Sequence, residues 1–294
     1  MAHRAGTAVI VGRPNVGKST LLNALVGQKV AIVTPRPQTT RTRIVGIRTL
    51  PDAQLVLVDT PGLHQARSLL NRRMVDLARS SLAEADVAVL VVDASAGLAR
   101  GDREVAEGLA ATKAPTVVVL NKIDLIAKSK LLPVMAGLAD LVPGAALVPA
   151  SARTGAELPT VLDVILAKLP EGPRLYPEDD FTTETERSLV QELVREQIFL
   201  ATRDEVPYGV AVLLDEFTEK PEKDLTVVKA TILVDRESHK PIVLGVKGDR
   251  IKAIGTTARQ EIEALLGTKV FLELFVRVEP GWSESPRRLT ELGL

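Results

Sequence analysis

Apolar and polar positions alternate in blocks along the first half of the chain. Five short runs rich in Val, Ile and Leu end in polar residues, and they cover residues 7–11, 54–59, 87–93, 116–121 and 145–149. Such runs are typical of strands buried on both faces of a sheet. Helical stretches fit between them, around residues 19–26, 73–83, 103–111 and 158–168. The pattern predicts an α/β domain with a mostly parallel sheet, helices on both faces and a ligand site beyond the carboxyl ends of the strands.

A different pattern follows residues 169–182, where the sequence LPEGPRLYPEDDFT has three prolines and no periodicity. This composition predicts a linker or domain seam, and we divide the chain within it, into a first domain at residues 1–175 and the linker with a second domain at residues 176–294. Thr183 and Glu186 have the spacing of a capping box, which predicts the start of a long amphipathic helix. Strands are then predicted at residues 210–214, 226–234 and 270–278, with a short apolar run at 241–244 and a helix at 250–266. The order helix, strand, strand, helix, helix, strand indicates an α+β domain.

Composition and charge add two constraints. The chain has no cysteine, which excludes disulfides and thiolate metal sites, and no apolar run is long enough for a membrane span. Its start lacks the features of a signal peptide, so we expect a cytoplasmic protein. The formal net charge is zero, but residues 1–175 carry +7 and residues 176–294 carry −7. The two parts of the chain therefore differ chemically.

The segment between the first strand and the first helix matches the pattern G-x-x-x-x-G-K-[ST]. In this loop the backbone N–H groups face phosphates, Lys18 neutralises the β and γ groups, and the Ser19 hydroxyl binds Mg²⁺. We therefore predict phosphate binding by the whole loop and the residue after it, namely Gly12, Arg13, Pro14, Asn15, Val16, Gly17, Lys18, Ser19 and Thr20.

Three further motifs lie at the ends of later strands. Asp59, followed by Thr60, Pro61 and Gly62, places a carboxylate near the metal and an N–H near the γ-phosphate. Asn121, Lys122 and Asp124 form a second motif, in which the carboxylate accepts both donors of the guanine edge. Ser151 and Ala152 are predicted to complete the base pocket through a backbone N–H. The order and spacing of these motifs predict a GTP-binding domain that uses Mg²⁺.

This set of motifs resembles the translation-factor-related GTPases and, within them, the Era family. Residues 34–43 (TPRPQTTRTR) are similar to that family's first switch segment, and GVKGDRIKAIG at residues 245–255 resembles its RNA-binding KH domain, of the type II arrangement. The resemblance covers residues 5–285. It implies a P-loop GTPase that binds GTP and GDP, binds the 3′ end of small-subunit (16S) ribosomal RNA and assists maturation of the 30S subunit. We expect this protein to be a monomer.

The same resemblance suggests residues that act in hydrolysis. Thr40 is the candidate switch hydroxyl for Mg²⁺, beside Ser19 and Asp59, with Thr39 as the alternative. The catalytic candidates are Lys18, Thr40, Gly62 and Asn15. Leu63 stands where the best-known small GTPases have a glutamine that orients water, so slow hydrolysis, another group of the chain (His64 and Gln65 being weak candidates) or a partner must be considered. Asn15 resembles the asparagine of potassium-dependent GTPases, although turn propensity explains it equally well.

The RNA-binding candidates surround the GXXG loop of the second domain, where glycines allow close approach to backbone nucleotides. Residues 236–259 carry six Lys or Arg against two acidic residues, within a domain that is otherwise acidic. Apolar side chains there indicate a hydrophobic groove under the bases. The candidates are His239, Lys240, Gly245, Val246, Lys247, Gly248, Arg250, Ile251, Lys252 and Ile254.

The interpretation is a GTPase whose nucleotide state, sensed by residues 31–43 and 59–73, controls RNA binding. Two alternatives remain open on the sequence. One is an RNA-binding assembly scaffold whose nucleotide domain is mainly structural, which intact nucleotide motifs argue against. The other is a cell-cycle GTPase associated peripherally with the inner membrane, for which the sequence offers no lipidation signal or basic amphipathic helix.

Overall fold

The computed structural model describes residues 3–62, 68–109 and 112–294. Their contacts divide into two compact units. The first comprises residues up to Thr183, apart from a short stretch ending at Leu70, and the second continues from Glu184. The predicted linker, residues 169–182, therefore packs with the first unit.

The first unit contains a six-stranded sheet in the order β2-β3-β1-β4-β5-β6, parallel except for the β2–β3 pair. Its strands are β1 Arg4–Val11, β2 Ile44–Thr49, β3 Ala53–Asp59, β4 Val87–Asp93, β5 Thr116–Asn121 and β6 Ala146–Pro149. Five of them follow the predicted apolar runs. The sequence analysis missed β2, whose sequence IVGIRT is interrupted by Gly46 and Arg48 and so lacks a continuous apolar run.

Helices and apolar side chains cover both faces of this sheet. The helices are α1 Lys18–Val26, α2 Leu69–Ala83, α3 Arg100–Leu109, α4 Leu131–Leu141 and α5 Leu158–Leu166. Alternate residues of the central strands enter separate cores, so that Ile10 and Val89 belong to one and Val9 and Leu90 to the other. This arrangement confirms the predicted α/β fold and brings the carboxyl ends of β1, β3, β4 and β5 to one edge, where ligands bind in such sheets.

The predicted linker adds to the edge of the sheet. The backbone N–H of Ile47 donates to the carbonyl of Phe181 (2.8 Å), and Thr182 Oγ1 donates to the carbonyl of Val45 (2.5 Å). Upstream, the fully buried Gln54 accepts the N–H groups of Leu175 and Tyr176. These bonds hold the segment against β2 and β3.

The second unit has a three-stranded sheet in the order β7-β8-β9, in which β7 and β8 are antiparallel and β8 and β9 are parallel. Its order of elements, helix, strand, strand, helix, helix, strand, is the predicted one, followed by a short C-terminal helix. The bounds are α6 Glu186–Ala201, β7 Val210–Lys220, β8 Leu225–Val234, α7 His239–Leu244, α8 Asp249–Leu266, β9 Lys269–Val278 and α9 Pro286–Glu291.

Two details of the second unit differ from the prediction. The helix cap is Thr185, whose side chain accepts the N–H of Ser188, so the predicted capping box at Thr183 and Glu186 is wrong. Glu186 is the first residue of the helix, whereas a capping box requires the glutamate to be the third. Strand β7 also continues to Lys220 across a bulge, beyond the predicted end at residue 214.

Among the described residues, no helix is long and apolar enough to cross a membrane.

Candidate nucleotide and RNA sites

The candidate phosphate loop joins β1 to α1 and curls through left-handed backbone conformations. Gly12, Asn15 and Gly17 have φ values of 152°, 63° and 97°. A Cβ at Gly12 would lie 2.5 Å from the carbonyl oxygen of Val91, and one at Gly17 would lie 2.3 Å from Nδ2 of Asn121. Glycine is therefore required at both positions, which explains their place in the motif.

Lys18, the first residue of α1, turns back over this loop. Its Nζ donates to the carbonyl oxygens of Gly12 (3.2 Å) and Arg13 (3.1 Å). Burial lowers the pKa of Lys18, and the nearby carboxylate of Asp59 acts against this shift. A buried ammonium held at the mouth of the loop can neutralise phosphate oxygens.

Ser19, Thr40 and Asp59 bring three side-chain oxygens together from three separate segments. Ser19 Oγ and Thr40 Oγ1 both lie close to Asp59 Oδ2, at 2.6 and 3.2 Å, and 3.0 Å from each other. Burial raises the pKa of Asp59, opposed by Lys18 and by the two hydroxyls. The other oxygen of Asp59, Oδ1, is buried and accepts no hydrogen bond from the described residues. An all-oxygen set with a spare carboxylate oxygen suits Mg²⁺.

The geometry separates the two candidate threonines. Thr39 Oγ1 donates to the carbonyl of Arg36 (2.9 Å) and lies 2.6 Å from the hydroxyl of Thr34, so it belongs to the loop's own hydrogen bonds. Thr40 instead joins the cluster with Ser19 and Asp59. The arrangement favours Thr40 as the metal ligand.

Gly62 lies against the phosphate loop from the opposite side. A Cβ on it would meet the backbone nitrogen of Pro14 at 2.8 Å, which glycine avoids. Thr60, before it, donates its hydroxyl to the carbonyl of Ile10 in β1. The next residues in the sequence, Leu63, His64 and Gln65, lie outside the described residues.

The candidate base pocket is formed by Asn121, Asp124 and the loop after β6. Asn121 Nδ2 donates to the carbonyl of Val16 (2.8 Å), which ties β5 to the phosphate loop. Asp124 Oδ1 accepts the hydroxyl of Ser151 (2.6 Å). The N–H of Ala152, predicted to face the base, donates to Oδ1 of Asn121 in this structure (2.9 Å). These contacts bring the four predicted residues of the pocket together.

Lys122 connects the base motif to the phosphate loop. Its Nζ donates to the carbonyl of Asn15 and to Oδ2 of Asp93, both at 2.7 Å. Burial acts to raise the pKa of Asp93, but the hydrogen bonds from Lys122 and Ser95 outweigh it and hold that pKa below its ordinary value. The sequence analysis missed Asp93, although a carboxylate at the carboxyl end of β4 is the signal that identified Asp59.

The remaining loop side chains have distinct environments. Asn15 Nδ2 donates to the carbonyl of Pro35 in the candidate switch segment (3.0 Å). Arg13 turns its guanidinium toward Asp102, to which its Nε donates. The cleft between the phosphate loop and the switch segment has a volume of about 520 Å³ and reaches Lys122 and Arg153. That volume lies in the range of small-molecule sites.

The GXXG segment of the second unit forms a tight, exposed turn between α7 and α8. Gly245, Lys247 and Gly248 have φ values of 76°, 54° and 81°. A Cβ at Gly245 would lie 2.0 Å from Oδ1 of Asp249 and 2.7 Å from the backbone nitrogen of Arg250, so glycine is obligatory there. Val246, at the tip, is 78% exposed. The turn offers open backbone to a ligand.

The other predicted RNA-binding residues divide between surface and core. Lys240, Lys247, Arg250 and Lys252 retain exposed or half-buried side chains around the turn, and Arg250 also donates to the carbonyl of Ile242. Ile251 is half-buried against the core.

Two of those residues are largely buried in this structure. Ile254 is 2% exposed and lies in the core on the inner face of α8, and its contact with RNA stays a prediction. His239, the first residue of α7, is also largely buried, with Nδ1 2.8 Å from Oδ1 of Asp235.

Comparisons with known proteins agree with this division of motifs. A family model described as a 50S ribosome-binding GTPase matches residues 7–122, and a KH domain model matches residues 205–283. GTPase Era of Geobacter metallireducens is 47% identical over 290 residues, which cover 99% of this chain and 97% of that protein. GTPase Era of Geotalea uraniireducens is 50% identical with the same coverage.

Two solved structures are similar over 99% of both chains, each with a TM-score of 0.96. One is a variant of Aquifex aeolicus Era bound to GDP·AlF4⁻, at 41% identity. The other is Era in complex with MgGDPNP and nucleotides 1506–1542 of 16S ribosomal RNA, at 42% identity. Since the similarity in sequence and in fold extends over nearly the full length, the chain belongs to the Era family and is a GTPase with a C-terminal KH domain.

Proposed function

We propose that this GTPase binds GTP and GDP in the cleft beside the phosphate loop, binds the 3′ end of 16S ribosomal RNA through the GXXG turn, and assists maturation of the 30S subunit. The domains would be residues 1–175 for the nucleotide and residues 176–294 for the linker and RNA. The observation that carries the nucleotide part is the meeting of Ser19, Thr40 and Asp59 beside Lys18.

In the proposed site each group has a defined task. Lys18 and the loop N–H groups stabilise charge on the β- and γ-phosphates while water attacks in line. Ser19, Thr40 and Asp59 would hold Mg²⁺, which supplies further positive charge for the phosphate oxygens when bound. Asp124 would select guanine by accepting its two edge donors, with Asn121 fixing the pocket to the loop.

Potassium is a further part of the proposal and rests on Asn15. Its amide donates to Pro35 in the switch segment, so the residue already connects the loop to the segment that closes over the nucleotide. A monovalent cation held there would place positive charge where other GTPases use an arginine. The left-handed φ of Asn15 provides a separate structural reason for this residue type, and the two explanations are distinguished by experiment below.

The RNA part is supported by the similar structure that contains 16S nucleotides, at 42% identity over 99% of this chain. It is also supported by the exposed turn and by the basic residues around it in an otherwise acidic domain. Such a ligand would place the protein's work in the cytoplasm. Action as a monomer and any peripheral contact with the inner membrane belong to the same proposal, and sedimentation and vesicle flotation test them.

Nucleotide-dependent footprinting on small-subunit RNA tests the function as a whole. We expect the protein to protect the 3′ end of 16S RNA, and the protection to differ between GTP-bound and GDP-bound protein. Protection that does not depend on nucleotide would support a scaffold instead. Absence of protection in both states would contradict the RNA assignment.

A further inference from the structure

A buried ion pair joins the phosphate loop to the first turn of α3. Arg13 Nε donates to Oδ1 of Asp102 over 2.8 Å, and the Asp102 side chain is 0% exposed. The second oxygen of Asp102 accepts the backbone N–H of Ala99 (3.0 Å), just before the helix begins at Arg100. One carboxylate thus holds both the start of the helix and a residue of the phosphate loop. No nucleotide motif includes Asp102.

Packing around the pair fixes the path of the arginine side chain. A Cβ at Gly101 would lie 2.6 Å from Cδ of Arg13, so the arginine stem rests directly on the backbone of the helix. Glycine disfavours helix formation relative to alanine, and its presence in the first turn is explained by this close approach. A side chain at position 101 would therefore displace Arg13 from this path.

The backbone of the same arginine serves Lys18. The carbonyl oxygens of Gly12 and Arg13 both accept hydrogen bonds from Lys18 Nζ. Rotation of the peptide at Arg13 would therefore move a group that holds the lysine over the loop. Since a buried carboxylate without its partner is costly, the ion pair resists such rotation.

We propose that Asp102 is a positioning residue for nucleotide binding and hydrolysis, acting through Arg13 on the carbonyl groups that orient Lys18. This inference rests on the proposed placement of the nucleotide in the cleft. It adds α3 to the elements that shape the phosphate site.

A double-mutant cycle on nucleotide affinity tests the inference. Asp102→Ala, Arg13→Met and the double variant are compared with the wild type by titration with fluorescent GDP and a GTP analogue, and by steady-state kcat and KM. We expect each single variant to raise Kd about tenfold, the effect of losing a charged hydrogen bond, and the double variant to be no worse than either. Arg13→Lys, which keeps the charge, should recover part of the affinity.

The exposed pair Arg100–Glu104 on the same helix is the matched control. It also joins Nε to a carboxylate oxygen over 2.8 Å, but its side chains are 88% and 50% exposed. Glu104→Ala should leave Kd, kcat and KM unchanged, since exposed pairs contribute little. A circular dichroism melt of each variant establishes that measurements are made on folded protein.

Several results would overturn the inference. Additive effects in the double variant, or a lower melting temperature with unchanged Kd, kcat and KM, would make the pair merely structural. If Asp102→Ala does not fold, Arg13→Met decides alone, because that side chain is part-exposed. Lys18→Ala distinguishes a failure of the proposed nucleotide site from a failure of this inference. Normal nucleotide binding by Lys18→Ala would contradict the proposed site. Loss of nucleotide binding by Lys18→Ala, together with normal binding by Asp102→Ala, would contradict only the role of Asp102.

Discussion

Thr40 donates a hydrogen bond from its hydroxyl to Oδ2 of Asp59, joining the switch segment to the carboxyl end of β3. Its neighbour Thr39 makes its hydrogen bonds within the switch loop. We expect Thr40→Ala to raise the Mg²⁺ concentration needed for half-maximal hydrolysis and to lower kcat at least about tenfold, because one metal ligand is lost. Thr39→Ala is the control and should leave the Mg²⁺ requirement unchanged. A Mg²⁺ titration of GTP hydrolysis with both variants distinguishes the two threonines. An equal change in the Mg²⁺ requirement of Thr39→Ala and Thr40→Ala would contradict the choice of Thr40 as the metal ligand.

Base selection should depend on the carboxylate of Asp124. In Asp124→Asn one acceptor becomes a donor, so affinity for GTP should fall about tenfold or more while xanthosine triphosphate, whose 2-position accepts a hydrogen bond, should bind better. Competition binding with GTP, ATP and xanthosine triphosphate measures the change. Asp140→Asn, an exposed substitution in α4, is the control. Equal binding of ATP and GTP by the wild type would remove the assignment of guanine specificity.

The role of Asn15 can be separated from its backbone conformation. Hydrolysis should be faster in potassium than in sodium at equal ionic strength, and the difference should vanish in Asn15→Gly, which keeps the left-handed backbone accessible but has no amide. Asn15→Ala adds backbone strain, so a lower rate confined to that variant would indicate a conformational role only. Identical wild-type rates in the two salts would make Asn15 a turn residue.

The ion pair between Asp93 and Lys122 predicts an acid-sensitive contribution to stability. The pKa of Asp93 lies below its ordinary value, so its contribution is present above the pKa of the unfolded chain and is lost as the pH falls through the folded value. The melting temperature of Asp93→Asn should therefore fall short of the wild type near neutral pH, and the gap should narrow in acid. A gap that is constant over this range would exclude the charge of Asp93 as its origin.

The sequence predicted the parts of the fold that depend on local pattern. The apolar runs of β4 and β5 were identified to the residue because both faces are buried, and the GTP-binding motifs could be read from spacing. Strand β2 was missed because Gly46 and Arg48 interrupt its apolar run, IVGIRT. The helix cap was misplaced because threonine is a suitable cap residue at both position 183 and position 185, and in the structure Thr185 is the cap.

The candidate sites show the same limit. Ile254 was predicted to line a groove because it is an apolar residue near the GXXG loop, but which face of its helix enters the core is decided by the sheet beneath that helix. Asp93 and Asp102 were missed because their partners, Lys122 and Arg13, are distant in sequence. Motifs identify chemistry within a segment, whereas contacts between segments require the fold.

The measurement that bears most directly on the proposed function compares wild type with Val246→Asp/Lys247→Asp. These positions lie at the exposed tip of the turn, and Lys247 has a left-handed backbone that aspartate tolerates, so the fold and both glycines are retained. The control Lys220→Asp/Lys223→Asp changes the charge at least as much, at the last residue of β7 and in the turn that follows it.

Filter binding to a single-stranded 16S 3′-end RNA and steady-state GTP hydrolysis are measured on all three proteins, with circular dichroism to establish folding. We predict that the Val246→Asp/Lys247→Asp variant, called here the GXXG variant, loses RNA binding and any stimulation of hydrolysis by RNA, while its GTP affinity is unchanged. The control variant should behave like the wild type. Binding of this RNA by the folded GXXG variant with wild-type affinity would contradict the proposed RNA site and the function in 30S maturation that depends on it.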